Sequence, residues 1–147
     1  MNIITQPAEL IARYVAKKIR RSVSSELAVT FGLVNDDDEL VAGVVFTGYA
    51  PPSILMHIAA ERLSPAFMAA IMDYAFRQLE CKRITGLIDA DNHRSRRFAE
   101  HLGGQLEGIM RDASPSGDVA VYGLLRKDAA RWLTSAYTRK LEGVWAS

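Results

Sequence analysis

The stretch from residue 53 to residue 90 constrains the fold more than any other part of the chain. Ser53–Ala60 is a strand-like run that is almost entirely apolar apart from His57, and residues 83–90 form a second strand-like run. Between them, Ser64-Pro65 is typical of a helix N-cap followed by the first helical residue. The apolar residues that follow at helical spacing are Phe67, Met68, Ile71, Met72, Ala75, Phe76 and Leu79. Strand, helix and strand over roughly 38 residues predict a βαβ unit with parallel strands and a right-handed crossover. Its apolar first strand is expected to be buried on both faces.

The segments on either side of this unit predict a mixed sheet. An Asn-Asp-Asp-Asp turn at residues 35–38 indicates a β-hairpin, and Gly103-Gly104 is a suitable helix stop. The predicted strands are residues 1–5, 27–34, 40–49, 105–111 and 118–125, and the predicted helices begin near Pro7, at Asp91 or Asn92, and at Lys127, the last running to about residue 140. The fold class is therefore α/β, with one mixed sheet flanked by helices, and we expect residues 1–147 to form a single domain.

Composition and charge narrow the classes of function. The chain is 49% hydrophobic and 24% charged, as in ordinary globular proteins, and its net charge of +1 argues against nucleic acid or an anionic membrane as a partner. We interpret the basic clusters as solvated helix faces; they are Lys17, Lys18, Arg20 and Arg21, and Arg94, Arg96 and Arg97.

The cysteine content is consistent with a reducing compartment, and the spacing of the histidines does not predict a metal site. The single cysteine, Cys81, cannot form an internal disulfide, and we interpret it as a packed thiol at a helix end. The three histidines are scattered, with no second cysteine, so no metal ligand set is predicted. No signal peptide or membrane-spanning run is expected, and the predicted location is cytoplasmic.

A motif follows the second strand of the βαβ unit. Asn92 is followed by Ser95, then by Phe98, in a helix that ends at Gly103, and Glu107-Gly108 leads to Arg111 in the next strand. This pattern resembles the GNAT superfamily of N-acetyltransferases, and within it the ribosomal-protein-type and bacteriophage-encoded acetyltransferase-like branch.

The resemblance implies a GNAT-like fold, in which the two parallel strands splay apart, and acetyl-CoA as co-substrate. The pantetheine arm would lie along the first strand at Met56 and Ile58, and the acceptor would be a primary amine of a protein or a small molecule. Arg62 and Ser64 would hold the pyrophosphate at the helix N-terminus. Asn92 and Ser95 would contact CoA; they could equally be helix-capping residues, and Arg62 could be an ordinary surface arginine. A homodimer is left open.

Two departures from the family pattern keep a second function open. The family's glycine-rich phosphate loop is replaced by residues 60–66, which contain no glycine; Glu61 there would repel phosphate. The tyrosine that many members carry seven residues after the asparagine is Ala99. The alternative to an enzyme is therefore a catalytically inactive GNAT-fold binding or assembly protein.

The candidate catalytic residues are His57 and Tyr122. Neutral imidazole at His57 could take a proton from an ammonium, and Tyr122 could protonate a leaving thiolate. Each could instead be a core residue of a strand. Asp89 and Asp91 could receive a cationic amine, or could be turn and cap residues after a strand.

Overall fold

The structure of the protein, a computed structural model, describes residues 1–20, 23, 25 and 28–133. The strands are β1 (Asn2–Ile4), β2 (Val29–Val34), β3 (Leu40–Ala50), β4 (Ser53–Ala60), β5 (Arg83–Asp89), β6 (Gln105–Ser114) and β7 (Gly117–Leu125). The helices are α1 (Ala8–Ile19), α2 (Pro65–Asp73), α3 (His93–His101) and α4 (Ala130–Leu133). The predicted order of strands and helices is confirmed, although the last helix begins at Ala130 rather than Lys127 and its predicted extension to residue 140 lies outside the described residues. No helix within the described residues is long and apolar enough to span a bilayer.

Seven strands form one mixed sheet in the order β1-β2-β3-β4-β5-β7-β6. The only parallel neighbours in this described sheet are β4 and β5, and every other pair is antiparallel. The predicted α/β class with a mixed sheet flanked by helices is confirmed.

The helix between β4 and β5 is less regular than the sequence spacing predicts. Ser64 caps α2 as expected, because its Oγ accepts a hydrogen bond from the Phe67 N–H at 3.1 Å. Past Asp73 the chain forms a π-helical turn over Tyr74–Gln78, in which the Leu79 N–H donates to the Tyr74 carbonyl at 2.9 Å. This wider turn rotates the side chains that follow relative to the regular stripe. The chain then reaches Cys81, which is buried as predicted, and burial raises the pKa of its thiol.

The expectation that β4 is buried on both faces is wrong. Only Ile54 and Ala59 are buried; the other β4 residues are partly exposed. The reason lies in the pairing with β5, which stops after three register pairs that end at Leu55 and Thr85. Beyond that point the two parallel strands diverge, so the second half of β4 pairs with β3 on one edge and borders a cavity on the other.

The two faces of the sheet carry separate hydrophobic clusters. On one face, Val15 of α1 packs with Val45 and Ala59. On the other, Phe67 of α2 and Leu102 at the end of α3 share the larger cluster with Ile84. The helices therefore lie on both sides of the sheet, with α1 on one face and α2 and α3 on the other.

Glycine at the end of α3 fixes how this helix meets the chain near α4. Gly103 has φ +109°, and a Cβ atom there would lie 2.6 Å from the Asp128 carbonyl oxygen. A side chain at this position would therefore push the two segments apart. The predicted Gly103-Gly104 stop is thus also a close packing contact between the end of α3 and the segment before α4.

Candidate functional site

The divergence of β4 and β5 opens a cavity through the middle of the sheet. Its walls are Met56, His57 and Ile58 of β4, residues 86–89 of β5, the α3 residues Ser95, Phe98 and Ala99, and Tyr122 of β7, with Asn92 just before α3. Because β3 pairs with β4 along its length and β7 pairs with all of β5, the gap lies between β4 and β5 alone. The structure thus brings together six of the predicted site residues, namely Met56, His57, Ile58, Asn92, Ser95 and Tyr122.

His57 and Tyr122 approach the cavity from opposite faces of the sheet. His57 is in register with Val45, which belongs to the cluster around α1. Tyr122 is two residues before Leu124, which packs in the larger cluster on the other face. Since successive strand residues alternate between faces, the imidazole lies on the α1 side and the phenol on the α3 side. The gap between the strands connects the two sides.

A threonine holds the His57 ring. Thr47 Oγ1 lies 3.2 Å from His57 Nε2, within hydrogen-bond distance, across the β3–β4 pair. This contact occupies one ring nitrogen and sets the orientation of the imidazole. His57 is half-buried and lines the cavity, so its imidazole borders the space that a ligand would occupy.

Tyr122 is part of a polar network with α3. Its hydroxyl donates to Glu100 Oε2 at 2.6 Å and accepts from Arg96 Nε at 3.1 Å, and Arg96 also donates to the Ala90 carbonyl oxygen at 2.9 Å. Burial raises the pKa of Tyr122. Ala99, which stands where the family pattern has a tyrosine, lines the same cavity as Tyr122. A phenol is therefore present in this cavity although the helix tyrosine is absent.

Of the two predicted caps of α3, Asp91 and Asn92, the structure has Asn92, which also lines the cavity. Its Oδ1 accepts a hydrogen bond from the Ser95 N–H at 3.2 Å, which satisfies one of the free donors at the helix start. Of the two predicted acidic residues, Asp89 lines the cavity and Asp91 is exposed.

The predicted phosphate residues lie elsewhere. Arg62 is exposed, and the Ser64 Oγ is used as the cap of α2. Neither residue lines the cavity or the groove that continues from it. In the same segment the N–H groups of Glu61 and Arg62 donate to the Val41 carbonyl oxygen, at 2.8 and 3.2 Å. Backbone donors of the expected phosphate loop are thus already engaged, and the cofactor role of Arg62 and Ser64 stays a prediction.

A groove continues from the cavity toward the end of α1, and its two cations, Lys18 and Arg94, are not among the predicted site residues. This groove, the Lys18 groove, is lined by Lys18, Ile19, Ile58, Ala59, Ala60, Glu61, Asn92, Arg94, Ser95 and Phe98. Lys18 Nζ forms an ion pair with Glu61 Oε1 at 2.6 Å. From the sequence, Lys18 is interpreted as part of a solvated basic cluster. Lys18 nevertheless lies three positions after the buried Val15, on the same face of α1. A lysine in phase with the apolar stripe was the signal that could have found it.

The arrangement suits a long ligand that is apolar in its middle and anionic at one end. The unpaired side of β4 presents extended backbone to the cavity, which fits an amide-bearing arm of the pantetheine kind. Histidine and tyrosine on opposite sides of the gap can act as proton acceptor and proton donor. Lysine and arginine at the groove end can attract phosphate.

Comparisons with known proteins find the same fold. Among solved structures, spermidine/spermine N-acetyltransferase SpeG from Vibrio cholerae in complex with manganese ions has a TM-score of 0.66 at 13% identity, covering 88% of this chain and 95% of that chain. An acetyltransferase of the GNAT family from Bacillus anthracis has a TM-score of 0.63 at 17% identity, covering 85% and 94%. At these identities the likeness shows the fold alone. No curated protein matches the chain.

The sequence itself matches one protein family, described as acetyltransferase (GNAT) domain, over residues 8–105. The matched region contains α1, the βαβ unit with its diverging strands, and α3 with Asn92 and Ser95. Since it spans well over half of the chain, the protein belongs to the GNAT acetyltransferase domain family.

Proposed function

We propose that this protein is an N-acetyltransferase that moves an acetyl group from acetyl-CoA to a primary amine. The observation that carries the proposal is the end of the β4–β5 ladder at Leu55 and Thr85, beyond which a cavity separates the strands. The proposed co-substrate fits this cavity because an extended pantetheine arm can pair with the open side of β4. The ribosomal-protein-type and bacteriophage branch, and a cytoplasmic location, stay predictions.

The proposed roles follow from where each side chain lies. Acetyl-CoA supplies an acetyl thioester, which an uncharged amine can attack. Met56 and Ile58 flank the pantetheine arm, and Asn92 and Ser95 bound it on the α3 side. His57 accepts the proton of the incoming ammonium, and Thr47 keeps its ring in place. Tyr122 protonates the sulfur of CoA as it leaves.

The opposite placement of His57 and Tyr122 suits this chemistry. An amine attacks a thioester carbonyl from one side, and the thiol departs on another. A proton acceptor on the α1 face and a proton donor on the α3 face can therefore serve the two ends of the same reaction without competing for one position. Asp89, at the cavity wall, adds negative charge that favours a cationic amine.

The acceptor amine is proposed as a class rather than as one compound. The solved structures with this fold include spermidine N-acetyltransferases, so a polyamine is the first small acceptor to test. A peptide N-terminus and a lysine side chain are the matching protein acceptors.

A noncatalytic GNAT-fold binding or assembly protein is the alternative. The observations that favour it are the absence of glycine from residues 60–66 and the engaged amides of Glu61 and Arg62. Both would weaken the usual cradle for pyrophosphate.

Release of free CoA thiol from acetyl-CoA separates the two functions. The full chain is incubated with acetyl-CoA and, in turn, with spermidine, a peptide with a free N-terminus and a lysine peptide with a blocked N-terminus. Thiol release that depends on the acceptor, with one acetyl group added to it by mass spectrometry, supports the enzyme. Saturable acetyl-CoA binding without any transfer across this panel would favour the noncatalytic protein.

A further inference from the structure

The Lys18 groove carries an arrangement of charges that the family pattern does not describe. Lys18 comes from the last turn of α1, Glu61 follows β4, and Arg94 lies in the first turn of α3. Three elements that are distant in the sequence thus contribute two cations and one anion to a single groove.

The two cations lie close enough to influence each other. The hydrogen bond with Glu61 raises the pKa of Lys18, and the charge of Arg94 opposes this increase. The same hydrogen bond lowers the pKa of Glu61. Among residues 1–20, 23, 25 and 28–133, no ion pair involves Arg94. The groove therefore has a cation that an incoming anion can pair with directly.

The Lys18 ammonium also contacts the aromatic ring of Tyr14. Lys18 Nζ lies 5.8 Å from the centre of the Tyr14 ring, four residues earlier on the same helix face. Lys18 thus contacts both the Tyr14 ring and the Glu61 carboxylate where it lines the groove.

The groove is continuous with the cavity between β4 and β5. Both are lined by Ile19, Ile58, Asn92, Ser95 and Phe98. A ligand whose arm lies in the cavity therefore places its other end beside Lys18 and Arg94, whereas Arg62 lines neither space.

We propose that Lys18 and Arg94 bind the phosphate groups of the ligand, and that Glu61 competes with phosphate for Lys18. This inference rests on the proposed function for the identity of the ligand as a CoA thioester. The phosphate can be the diphosphate next to the pantetheine arm or the 3′-phosphate of the adenosine, since both are dianionic oxygen groups that suit the same cations. The glycine loop is thereby replaced by side chains of α1 and α3, and Glu61 sets how tightly phosphate is held.

The test compares three ligands by calorimetric titration of the full chain: CoA, 3′-dephospho-CoA and pantetheine. Lys18→Ala and Arg94→Ala are each expected to weaken CoA binding by about tenfold, the scale of one lost charge-assisted hydrogen bond. Pantetheine, which has no phosphate, should lose less than about twofold. If the variants also bind dephospho-CoA more weakly than wild type does, the cations contact the diphosphate. If the variants and wild type bind dephospho-CoA equally, the cations contact the 3′-phosphate.

Matched controls come from the same two helices. Lys17→Ala and Arg97→Ala each remove one exposed cation that does not line the groove, so they should leave CoA affinity unchanged. Glu61→Gln removes the competing charge but keeps the backbone hydrogen bond to Val41, so it should tighten CoA binding by about threefold to tenfold. The phosphate site would be overturned if the groove variants lost affinity for CoA and for pantetheine equally. It would also be overturned if the control variants lost as much CoA affinity as the groove variants. Weaker CoA binding in Glu61→Gln would overturn the competition.

Titration with inorganic pyrophosphate separates this inference from the proposed function. If the wild-type chain binds pyrophosphate and Lys18→Ala does not, the phosphate site stands even where no acetyl transfer is found. If the chain transfers acetyl groups but the groove variants bind CoA normally, the proposed function stands and the phosphate site is wrong.

Discussion

The hydroxyl of Tyr122 on β7 donates a hydrogen bond to a carboxylate oxygen of Glu100 on α3 at 2.6 Å. Arg96 donates to the same oxygen of Tyr122, so the phenol has one partner that accepts and one that donates. Burial and the Glu100 carboxylate raise the pKa of Tyr122, while Arg96 opposes this. The phenol therefore keeps its proton through the neutral range, as a proton donor must.

The raised pKa of Tyr122 predicts a stability change at alkaline pH. In the unfolded chain the group titrates near its usual value of 10.0, and in the folded chain it titrates higher. Between these two pKa values the folded state binds the proton more tightly than the unfolded state does. The resulting contribution of Tyr122 to the free energy of unfolding is therefore complete below pH 10.0 and is lost as the pH rises through the folded pKa. Thermal midpoints of wild type and Tyr122→Phe, measured from neutral pH to well above 10.0, should differ less at the alkaline end. A difference that stays constant or grows would contradict the raised pKa.

His57 is expected to control the turnover rate rather than the affinity for acetyl-CoA. His57→Gln removes the proton acceptor and should lower turnover by roughly 10²-fold, the usual scale for lost acid–base assistance. Thr47→Val, which removes the hydroxyl partner of the ring, is the companion variant and should lower turnover less. A folded His57→Gln protein with intact turnover would rule out this role.

Asn92 is expected to have two separable roles, as cap of α3 and as ligand contact. Asn92→Ala loses the bond from the Ser95 N–H and should destabilise the protein by about 1 kcal/mol in urea unfolding. Asn92→Asp keeps a capping oxygen and should remain as stable as wild type. If Asn92 also contacts CoA, both variants should bind CoA more weakly than wild type does. If only Asn92→Ala binds CoA more weakly, Asn92 contributes to CoA binding only through the cap of α3.

Features set by local sequence were predictable. The bounds of β4, the caps at Ser64 and Asn92 and the stop at Gly103 depend on a few neighbouring residues, and the structure has all of them. The π-helical turn at Tyr74–Gln78 was not predictable, because the apolar spacing before it is that of a regular helix.

Contacts between elements that are distant in the sequence could not be predicted from local residue patterns. Lys18 and Glu61 are 43 positions apart in the sequence, and only the packing of α1 beside the end of β4 brings them together. Arg62, one residue from Glu61, is predicted together with Ser64 to hold phosphate, and it does not line the groove. The pairing of Tyr122 with Glu100 likewise depends on how α3 is seated on the sheet.

Gly103 is predicted to be the most sensitive glycine at the end of α3. Gly103→Ala places a Cβ atom 2.6 Å from the Asp128 carbonyl oxygen at a positive φ, so it should destabilise the protein by about 2 kcal/mol or more. Gly108→Ala is the matched control, since nothing lies within 4 Å of its added Cβ atom, and should change stability by less than about 0.5 kcal/mol. Urea unfolding of both variants measures this, and equal effects would contradict the packing of α3 described above.

The central claim is that the gap between β4 and β5 holds the pantetheine arm of acetyl-CoA, and calorimetric titration of wild type and Gly86→Val tests it most directly. Gly86 lines the cavity, and a Cβ atom added there would lie 3.9 Å from its nearest neighbour, the Tyr122 Cβ atom. Valine therefore fits the strand, and its side chain fills part of the gap. Gly108→Val, on the exposed edge strand, is the control. The account predicts saturable 1:1 binding by wild type and the control, and loss of binding by a folded Gly86→Val protein. Equal binding by all three, or no binding by folded wild type at millimolar acetyl-CoA, would contradict it.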